Sequence, residues 1–219
     1  MKDEKAPFIC IIGVDGVGKT THIRNIIDRL HEKGVPCKYT WFRFQNYISL
    51  AILGYCKLTG LTVSEMQCNK RVSIHQFYRS KLVSWLYPLV LFIDMLPAYI
   101  IKIYLPLQLG YAVVCDRCAY DTLVDLMVDL GNPKIHEEYI GNLFRKMIPK
   151  DAKVILLDLD EEIIRSRRSE LREDHTLEVR RRFYHKLSRD FHIPVVDNDA
   201  DISDVSEIIY KSLLGNRAG

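Results

Sequence analysis

A glycine-rich segment near the start of the chain has the residue types of a loop that binds phosphate. It reads Gly13-Val14-Asp15-Gly16-Val17-Gly18-Lys19-Thr20. Glycines let the backbone curl so that its N–H groups point at an anion, and a helix that begins there adds partial positive charge. A lysine at this place reaches the β- and γ-phosphates, and a threonine hydroxyl ligates Mg²⁺. The segment therefore predicts a site for a nucleoside triphosphate with magnesium.

The surroundings of this segment support the prediction. It satisfies the pattern G-x-x-x-x-G-K-[ST], follows the apolar run 8–12 and opens an amphipathic pattern that continues to Lys33. We expect ATP and Mg²⁺ as the bound groups, with Lys19 catalytic and Thr20 a metal ligand. The predicted nucleotide-binding residues of the loop are Gly13, Asp15, Gly16, Val17, Gly18, Lys19, Thr20 and Thr21.

A second polar pair, Asp116-Arg117, follows the apolar run 111–115. A carboxylate after a buried strand can hold Mg²⁺ through water, and the adjacent guanidinium can clamp phosphate oxygens on the acceptor side. Two other kinds of nucleotide-binding protein are disfavoured. The N-K-x-D motif of guanine-specific GTPases is absent, because Asn69-Lys70 is followed by Arg71-Val72, and there is no L-S-G-G-Q signature.

The remaining pattern alternates between strands and helices, which predicts an α/β fold. Short apolar runs predict five strands at 8–12, 35–42, 111–115, 154–159 and 193–196, while helical patterns occupy 134–147, 161–171, 175–191 and 202–214. Residues 45–109 have mainly helical patterns. We expect a three-layer P-loop NTPase fold with a five-stranded parallel sheet and helices on both faces. Without repeats or linkers, residues 1–219 are predicted to form a single domain.

Composition restricts the partners and the compartment. The formal net charge of +3 gives no reason to expect nucleic acid, and six scattered cysteines suggest reduced thiols in a cytoplasmic protein. The residues between Leu82 and Leu109 are strongly apolar, but they contain charged residues and three prolines that should divide the segment. We therefore expect buried helices there and no membrane, with a homodimer left open.

These motifs together resemble the thymidylate kinase family of nucleoside monophosphate kinases over nearly the whole chain. The resemblance implies that Asp15 hydrogen-bonds the 3′-hydroxyl of the acceptor sugar and that Arg43 contacts the acceptor phosphate. Asp116-Arg117 stands where the family has D-R-Y/H, and the segment around 165–175 resembles the arginine-rich lid. Since Gly16 stands where some members have arginine, the resemblance implies that the lid supplies the cation for the transition state.

Eight arginines lie between Arg165 and Arg189. Spacings of three and four place Arg165, Arg168 and Arg172 on one helix face if the helix persists that far, and phosphoryl transfer needs cations from outside the phosphate loop. We predict that at least one of these three is catalytic. For most of a second group we predict only a solvated helix face: Arg180, Arg181, Arg182, Lys186 and Arg189.

The resemblance is weakest where the family recognises thymine with a phenylalanine and an arginine four residues later. Two alignments place either Leu91 and Met95 or Phe92 and Leu96 at those positions, so neither supplies the arginine. Cys118 replaces the aromatic residue after D-R, and Asp121 stands near an expected hydroxyl residue. Phosphate chemistry is predicted to be retained while recognition of the base has changed.

The predicted function is ATP-dependent phosphoryl transfer to a nucleoside monophosphate, with dTMP as the best single acceptor. Two alternatives stay open. One keeps the chemistry but changes the acceptor to another nucleotide or a non-nucleotide compound. The other is a non-catalytic ATP-binding switch, which is disfavoured because Lys19, Thr20, Asp116, Arg117 and the lid arginines occur together.

Overall fold

The computed structural model describes residues 6–67, 70–168, 171–172 and 174–214. In chain order the strands are β1 (Phe8–Ile12), β2 (Cys37–Trp41), β3 (Thr62–Gln67), β4 (Lys70–His75), β5 (Ala112–Asp116), β6 (Lys153–Asp158) and β7 (Val195–Asp197). Five of them form one parallel sheet in the order β2-β5-β1-β6-β7, and β3 pairs with β4 as a separate antiparallel hairpin. The expected five-stranded parallel sheet is confirmed.

Helices flank this sheet. They are α1 (Lys19–Glu32), α2 (Ser49–Leu58), α3 (Lys81–Tyr99), α4 (Leu105–Gln108), α5 (Ala119–Asp129), α6 (Tyr139–Arg145), α7 (Glu161–Arg167), α8 (Leu177–Phe191) and α9 (Ile202–Leu214). The apolar spacing of α1 explains its orientation, because Ile23, Ile26 and Leu30 are all buried on one face. Single 3₁₀ turns occur at Phe77–Arg79 and Ile135–Glu137.

The two strands that lead into the site are the most deeply buried. All residues of β1 and of β5 are buried, as expected for central strands covered on both faces. In the parallel register Ile11 lies opposite Asp116 on one side and Ile155 on the other. Because parallel strands end at the same edge, the segments that follow β1 and β5 are brought together there.

The expectation of mainly helical structure over residues 45–109 is wrong for the β3–β4 hairpin. In β4, Val72 and Ile74 alternate with polar residues, a period of two that favours a strand, whereas the apolar residues of β3 are three positions apart. Val63, Met66 and Val72 are exposed, so the hairpin is not part of the main core. Helix α5 was also not predicted, although it follows directly on Asp116-Arg117.

The prolines do not divide the apolar segment as expected. Helix α3 contains Pro88 and Pro97 and continues through a π-helical turn at Ile100–Tyr104 into α4. A π turn re-satisfies backbone groups near a proline, which allows the helix to continue. The span Lys81–Gln108 is long and apolar enough to cross a membrane by length and composition, with 39% of its most apolar window buried. A core helix of a water-soluble protein meets the same criterion.

Asp94 of α3 connects this helix to the start of α2. Its carboxylate is buried and accepts hydrogen bonds from the backbone N–H groups of Tyr47, Ile48 and Ser49 at 2.8–3.0 Å. The Ser49 hydroxyl adds a fourth at 2.6 Å. A carboxylate at the N-terminus of a helix is stabilised by the helix dipole and by the unpaired N–H groups. Asp94 therefore ties α3 to the start of α2.

Candidate active site

The phosphate-binding loop connects β1 to α1 and takes a shape that requires glycine. Gly13 and Gly18 have φ angles of 141° and 96°, which other residues rarely adopt. A Cβ on Gly18 would lie 2.6 Å from Nδ2 of Asn198, and one on Gly13 would collide with the carbonyl oxygen of Leu157. The loop is thus packed against the ends of neighbouring segments, so its backbone is held in position before any ligand binds.

Lys19 is the first residue of α1 and is 6% exposed. Its ammonium donates hydrogen bonds of 2.7 Å to the carbonyl oxygens of Gly13 and Val14. Burial lowers the pKa of Lys19 to about 8, although the nearby carboxylates of Asp121 and Asp116 act in the opposite direction. A partly desolvated ammonium inside an anion-binding loop can interact strongly with a phosphate group.

Thr20 and Asp116 form the candidate metal site. The Thr20 hydroxyl donates a hydrogen bond of 3.0 Å to Oδ2 of Asp116, which joins the first turn of α1 to the end of β5. Hydroxyl and carboxylate oxygens are hard ligands of the kind that Mg²⁺ prefers, and Mg²⁺ commonly keeps several water ligands. The donor set at this position therefore fits magnesium with few protein ligands.

Arg117 follows β5 in the left-handed region, with φ of 71°. This conformation is uncommon for a residue other than glycine and costs roughly 1–3 kcal/mol. The side chain is buried and donates to Oδ1 of Asp15, while NH1 lies 3.5 Å from Oδ1 of Asp121. The guanidinium lies beside the phosphate-binding loop and lines the same cavity as Lys19 and Thr20.

Arg43, in the segment after β2, is held by Asp125 of α5. Its Nε and NH2 atoms each donate a 2.8 Å hydrogen bond to one oxygen of that carboxylate. NH1 lies 3.9 Å from Oδ2 of Asp15. The bidentate pair orients the guanidinium with its remaining nitrogen directed toward the phosphate loop.

Arg180 corrects the interpretation of α8 as a mostly solvated face. It also donates to Oδ1 of Asp125, and its side chain is 25% exposed. Burial lowers the pKa of Arg180 to about 10, and the neighbouring charge of Arg43 acts in the same direction. Arg181 likewise points inward, with hydrogen bonds of 2.8 and 2.9 Å to Asp158. Arg182 is 68% exposed and fits the original interpretation.

The lid arginines do not share one helix face, because α7 ends at Arg167 and Arg168 has an extended backbone. Arg165 bonds to Glu161 at 2.8 Å. Its other two nitrogens donate to the carbonyl oxygens of Leu171 and Arg172 at 2.6 Å and of Asp174 at 3.0 Å. This side chain therefore braces the segment that follows α7. A catalytic role for it stays a prediction.

Arg168 is the lid arginine that lies beside the phosphate loop. It lines a cavity of about 290 Å³ together with Lys19, Thr20, Asp116 and Arg117. Its Cδ lies 3.6 Å from the position that a Cβ on Gly16 would take. The same Cβ would lie 3.0 Å from Cδ1 of Leu171 and 3.2 Å from Cγ2 of Ile164, so these side chains pack closely against the glycine. Arg172 is exposed and does not line this cavity.

A neighbouring cavity of about 200 Å³ opens on the other side of Asp15, which lines both. Its wall includes Arg43, Arg180 and Asp129, together with the β4 residues Val72, Ser73, Ile74 and His75. The positions aligned with thymine recognition do not line it. Leu91 and Met95 are fully buried, and Phe92 and Leu96 pack against the same core. This cavity, called the acceptor-side cavity below, is thus built by other elements, and polar and apolar residues share its lining.

The sequence analysis did not identify Asp125, Asp129 and Arg180 as site residues. One signal was available. Asp121, Asp125 and Asp129 recur every four residues in an otherwise apolar segment, which places three carboxylates on one face of a helix. The sequence analysis did not predict α5, so it did not use this spacing.

The sheet, its flanking helices and the loop together have the P-loop NTPase fold. Within that class the chain has the fold of the thymidylate kinases. The thymidylate kinase from Candida albicans is similar over 97% of this chain and 93% of its own, with a TM-score of 0.62 and 18% identity. The thymidylate kinase from Ehrlichia chaffeensis is similar over 96% and 99%, with a TM-score of 0.55 and 19% identity. No protein-family model and no curated protein sequence matches the chain.

Proposed function

We propose that this protein is a nucleoside monophosphate kinase that transfers the γ-phosphoryl group of ATP. An oxygen of the acceptor's phosphate attacks the γ-phosphorus and forms a new P–O bond. The bond to the β–γ bridging oxygen breaks, and ADP leaves with its electron pair. The observation that carries the proposal is the meeting of two cavities at Asp15: Lys19, Thr20 and Arg117 line one, Arg43 lines the other, and both arginines face the Asp15 carboxylate.

In this proposal, positively charged side chains act on the phosphate of the acceptor and on the phosphoryl group that is transferred. Arg43 and Arg117 bind the phosphate of the acceptor and orient it for in-line attack. Lys19 and Arg168 stabilise negative charge on the transferred group, since phosphoryl transfer depends mainly on positioning and electrostatics. Arg165 and Arg172 belong to the same lid. Thr20 and Asp116 would hold Mg²⁺, which supplies positive charge to the β- and γ-phosphate oxygens when it is bound.

Asp15 has two proposed roles that succeed each other. It pairs with Arg117 in this structure, and its side chain is 52% exposed, so it can turn toward a ligand. An acceptor phosphate offers Arg117 a stronger, doubly charged partner. The carboxylate would then be released to accept a hydrogen bond from the 3′-hydroxyl of the sugar, the role that the resemblance implies.

The likeness to two thymidylate kinases makes dTMP the reference acceptor. The Candida albicans enzyme is described as having broad substrate specificity. We place the protein in the cytoplasm, since the cysteines described by the structure, Cys10, Cys37, Cys56, Cys115 and Cys118, are all free thiols. Nucleotides are the proposed partners, and a homodimer is compatible with the proposal.

The test is ADP release from ATP and Mg²⁺ with dTMP, dUMP, UMP, dCMP and dGMP under one set of conditions. Formation of the corresponding diphosphate should be confirmed by ³¹P NMR. Lys19→Ala should remove the activity, whereas the exposed Lys57→Ala, a matched surface control, should keep it. ATP binding without turnover of any monophosphate would contradict the proposal and favour a non-nucleotide acceptor or a switch.

A further inference from the structure

Asp129 is the last residue of α5 and is 7% exposed. The two aspartates that precede it on this helix face are fully engaged. Asp121 accepts hydrogen bonds of 2.7 Å from the backbone of Cys118 and from the Tyr184 hydroxyl, and Asp125 accepts from Arg43 and from Arg180. Asp129 differs from both, because no residue in the described part of the chain donates a hydrogen bond to its carboxylate.

The unpartnered carboxylate lines the acceptor-side cavity. Burial of a carboxylate without a partner is unfavourable and is usually avoided, so its retention in a cavity indicates a ligand. Desolvation raises the pKa of Asp129 to about 7, against the opposing charge of Arg43. A hydrogen-bond donor on a bound ligand would favour the ionised form and relieve this cost.

The position of Asp129 along α5 corresponds to the far end of an acceptor. Helix α5 begins next to Asp116-Arg117, at the phosphate end of the site. Asp129 lies one helical turn beyond Asp125, about 6 Å further along the axis. If the phosphate of an acceptor is bound by Arg43 and Arg117 and its sugar by Asp15, as proposed above, its base is the part left to face Asp129 in the same cavity.

We propose that Asp129 reads the acceptor base by accepting a hydrogen bond from an exocyclic amino group, so that cytosine or guanine monophosphates are preferred to thymine or uracil monophosphates. A carboxylate has only acceptor oxygens when it is ionised. It pairs with the amino group at C4 of cytosine but faces a carbonyl oxygen at the same place in uracil and thymine. The N–H groups of guanine offer the same chemistry. This inference rests on the proposed function and names its substrate class.

The experiment compares two pairs of acceptors. The members of each pair differ in the exocyclic amino group that Asp129 is proposed to bind. dCMP and dUMP differ at C4 and in the N3 proton, and deoxyinosine monophosphate lacks only the 2-amino group of dGMP. We expect kcat/KM of the wild type to favour the amino-bearing member of at least one pair by roughly 10- to 100-fold. Asp129→Asn should reduce that ratio to near one, because an amide can also donate to a carbonyl. The exposed Asp151→Asn is the matched control and should keep the ratio.

The result separates this inference from the proposed function. Turnover of several monophosphates with no preference for the amino group, or a preference that survives Asp129→Asn, would overturn the role of Asp129 and leave the kinase assignment intact. Absence of turnover would overturn the kinase assignment. In that case calorimetric titration with dCMP and dUMP still decides about Asp129. Tighter binding of dCMP that is lost in Asp129→Asn supports its role, and equal affinity or no binding contradicts it.

Discussion

Asp125 of α5 accepts a hydrogen bond from Arg180 of α8, and this arginine lines the acceptor-side cavity. The same carboxylate also holds Arg43 through two bonds of 2.8 Å. Two arginines therefore lie close together only because Asp125, with a side chain that is 2% exposed, stands between them. Asp125 therefore contributes both to the stability of the protein and to the positions of the two arginines in the site.

We predict that Asp125→Ala lowers the free energy of unfolding by about 3 kcal/mol, since removing one partner of a buried ion pair leaves uncompensated charge. Both arginines keep some contact with water, which limits the loss. Urea unfolding monitored by circular dichroism measures it. Adding Arg180→Met to Asp125→Ala should recover part of the lost stability, because it removes one of the two repelling cations. A loss below about 0.5 kcal/mol would mean that solvent screens the cluster.

Lys19→Ala is expected to abolish phosphoryl transfer while the protein remains folded. The ammonium donates to the carbonyl oxygens of Gly13 and Val14 and is not part of the apolar core. Near-normal turnover by this variant would contradict the assignment of the phosphate-binding loop. In the wild type, kcat/KM for ATP should fall as the pH rises through about 8, where free Lys19 loses its proton.

Arg117→Ala should lower kcat more than it raises KM, because a guanidinium that acts on the reacting phosphates contributes mainly in the transition state. The expected loss is about 2–4 kcal/mol of transition-state stabilisation. Steady-state kinetics with saturating ATP and a varied acceptor separates the two parameters. An effect on KM alone would show that Arg117 binds the acceptor phosphate in the ground state without further stabilising the transition state.

Replacing Arg168 and replacing Arg165 should each lower activity, but for different reasons. Arg168→Ala removes a cation beside the loop and is expected to reduce kcat by roughly 10²–10³-fold. Arg165→Ala should also reduce turnover, but by releasing the segment after α7. Only that variant should speed amide hydrogen exchange at the end of α7. Equal exchange in both variants would show that Arg165 does not brace the lid.

The sequence predicted those parts of the fold that depend on local periodicity. The five parallel strands and the loop from Gly13 to Thr20 follow from apolar runs and a specific motif, and they are found as expected. The β3–β4 hairpin and α5 have weaker patterns. The inward orientation of Arg180 depends on a long-range partner, Asp125, that no local pattern identifies. Prediction therefore reached the phosphate-binding loop and not the wall of the acceptor-side cavity, which is assembled from segments distant in sequence.

Asp129→Asn gives a prediction for stability that does not require any ligand. Burial raises the pKa of Asp129 from 3.8 to about 7 in the folded protein. Below pH 4 the carboxyl is protonated in the folded and unfolded states and has no linkage effect. Between about pH 4 and 7 the unfolded chain loses this proton while the folded protein retains it, so rising pH favours unfolding.

The neutral asparagine removes this penalty. Relative to the wild type, Asp129→Asn should therefore gain stability as the pH rises from 4 to 7, reaching on the order of 4 kcal/mol at pH 8. Urea unfolding of both proteins at pH 4.5, 6 and 8 measures the difference, and Asp151→Asn, at an exposed position, should show no such trend. A difference that does not depend on pH would mean that Asp129 is ionised throughout, with a partner in the folded protein. If the trend appears together with the loss of amino-group preference, the stability given up at Asp129 serves recognition of the acceptor, a trade-off common at functional sites.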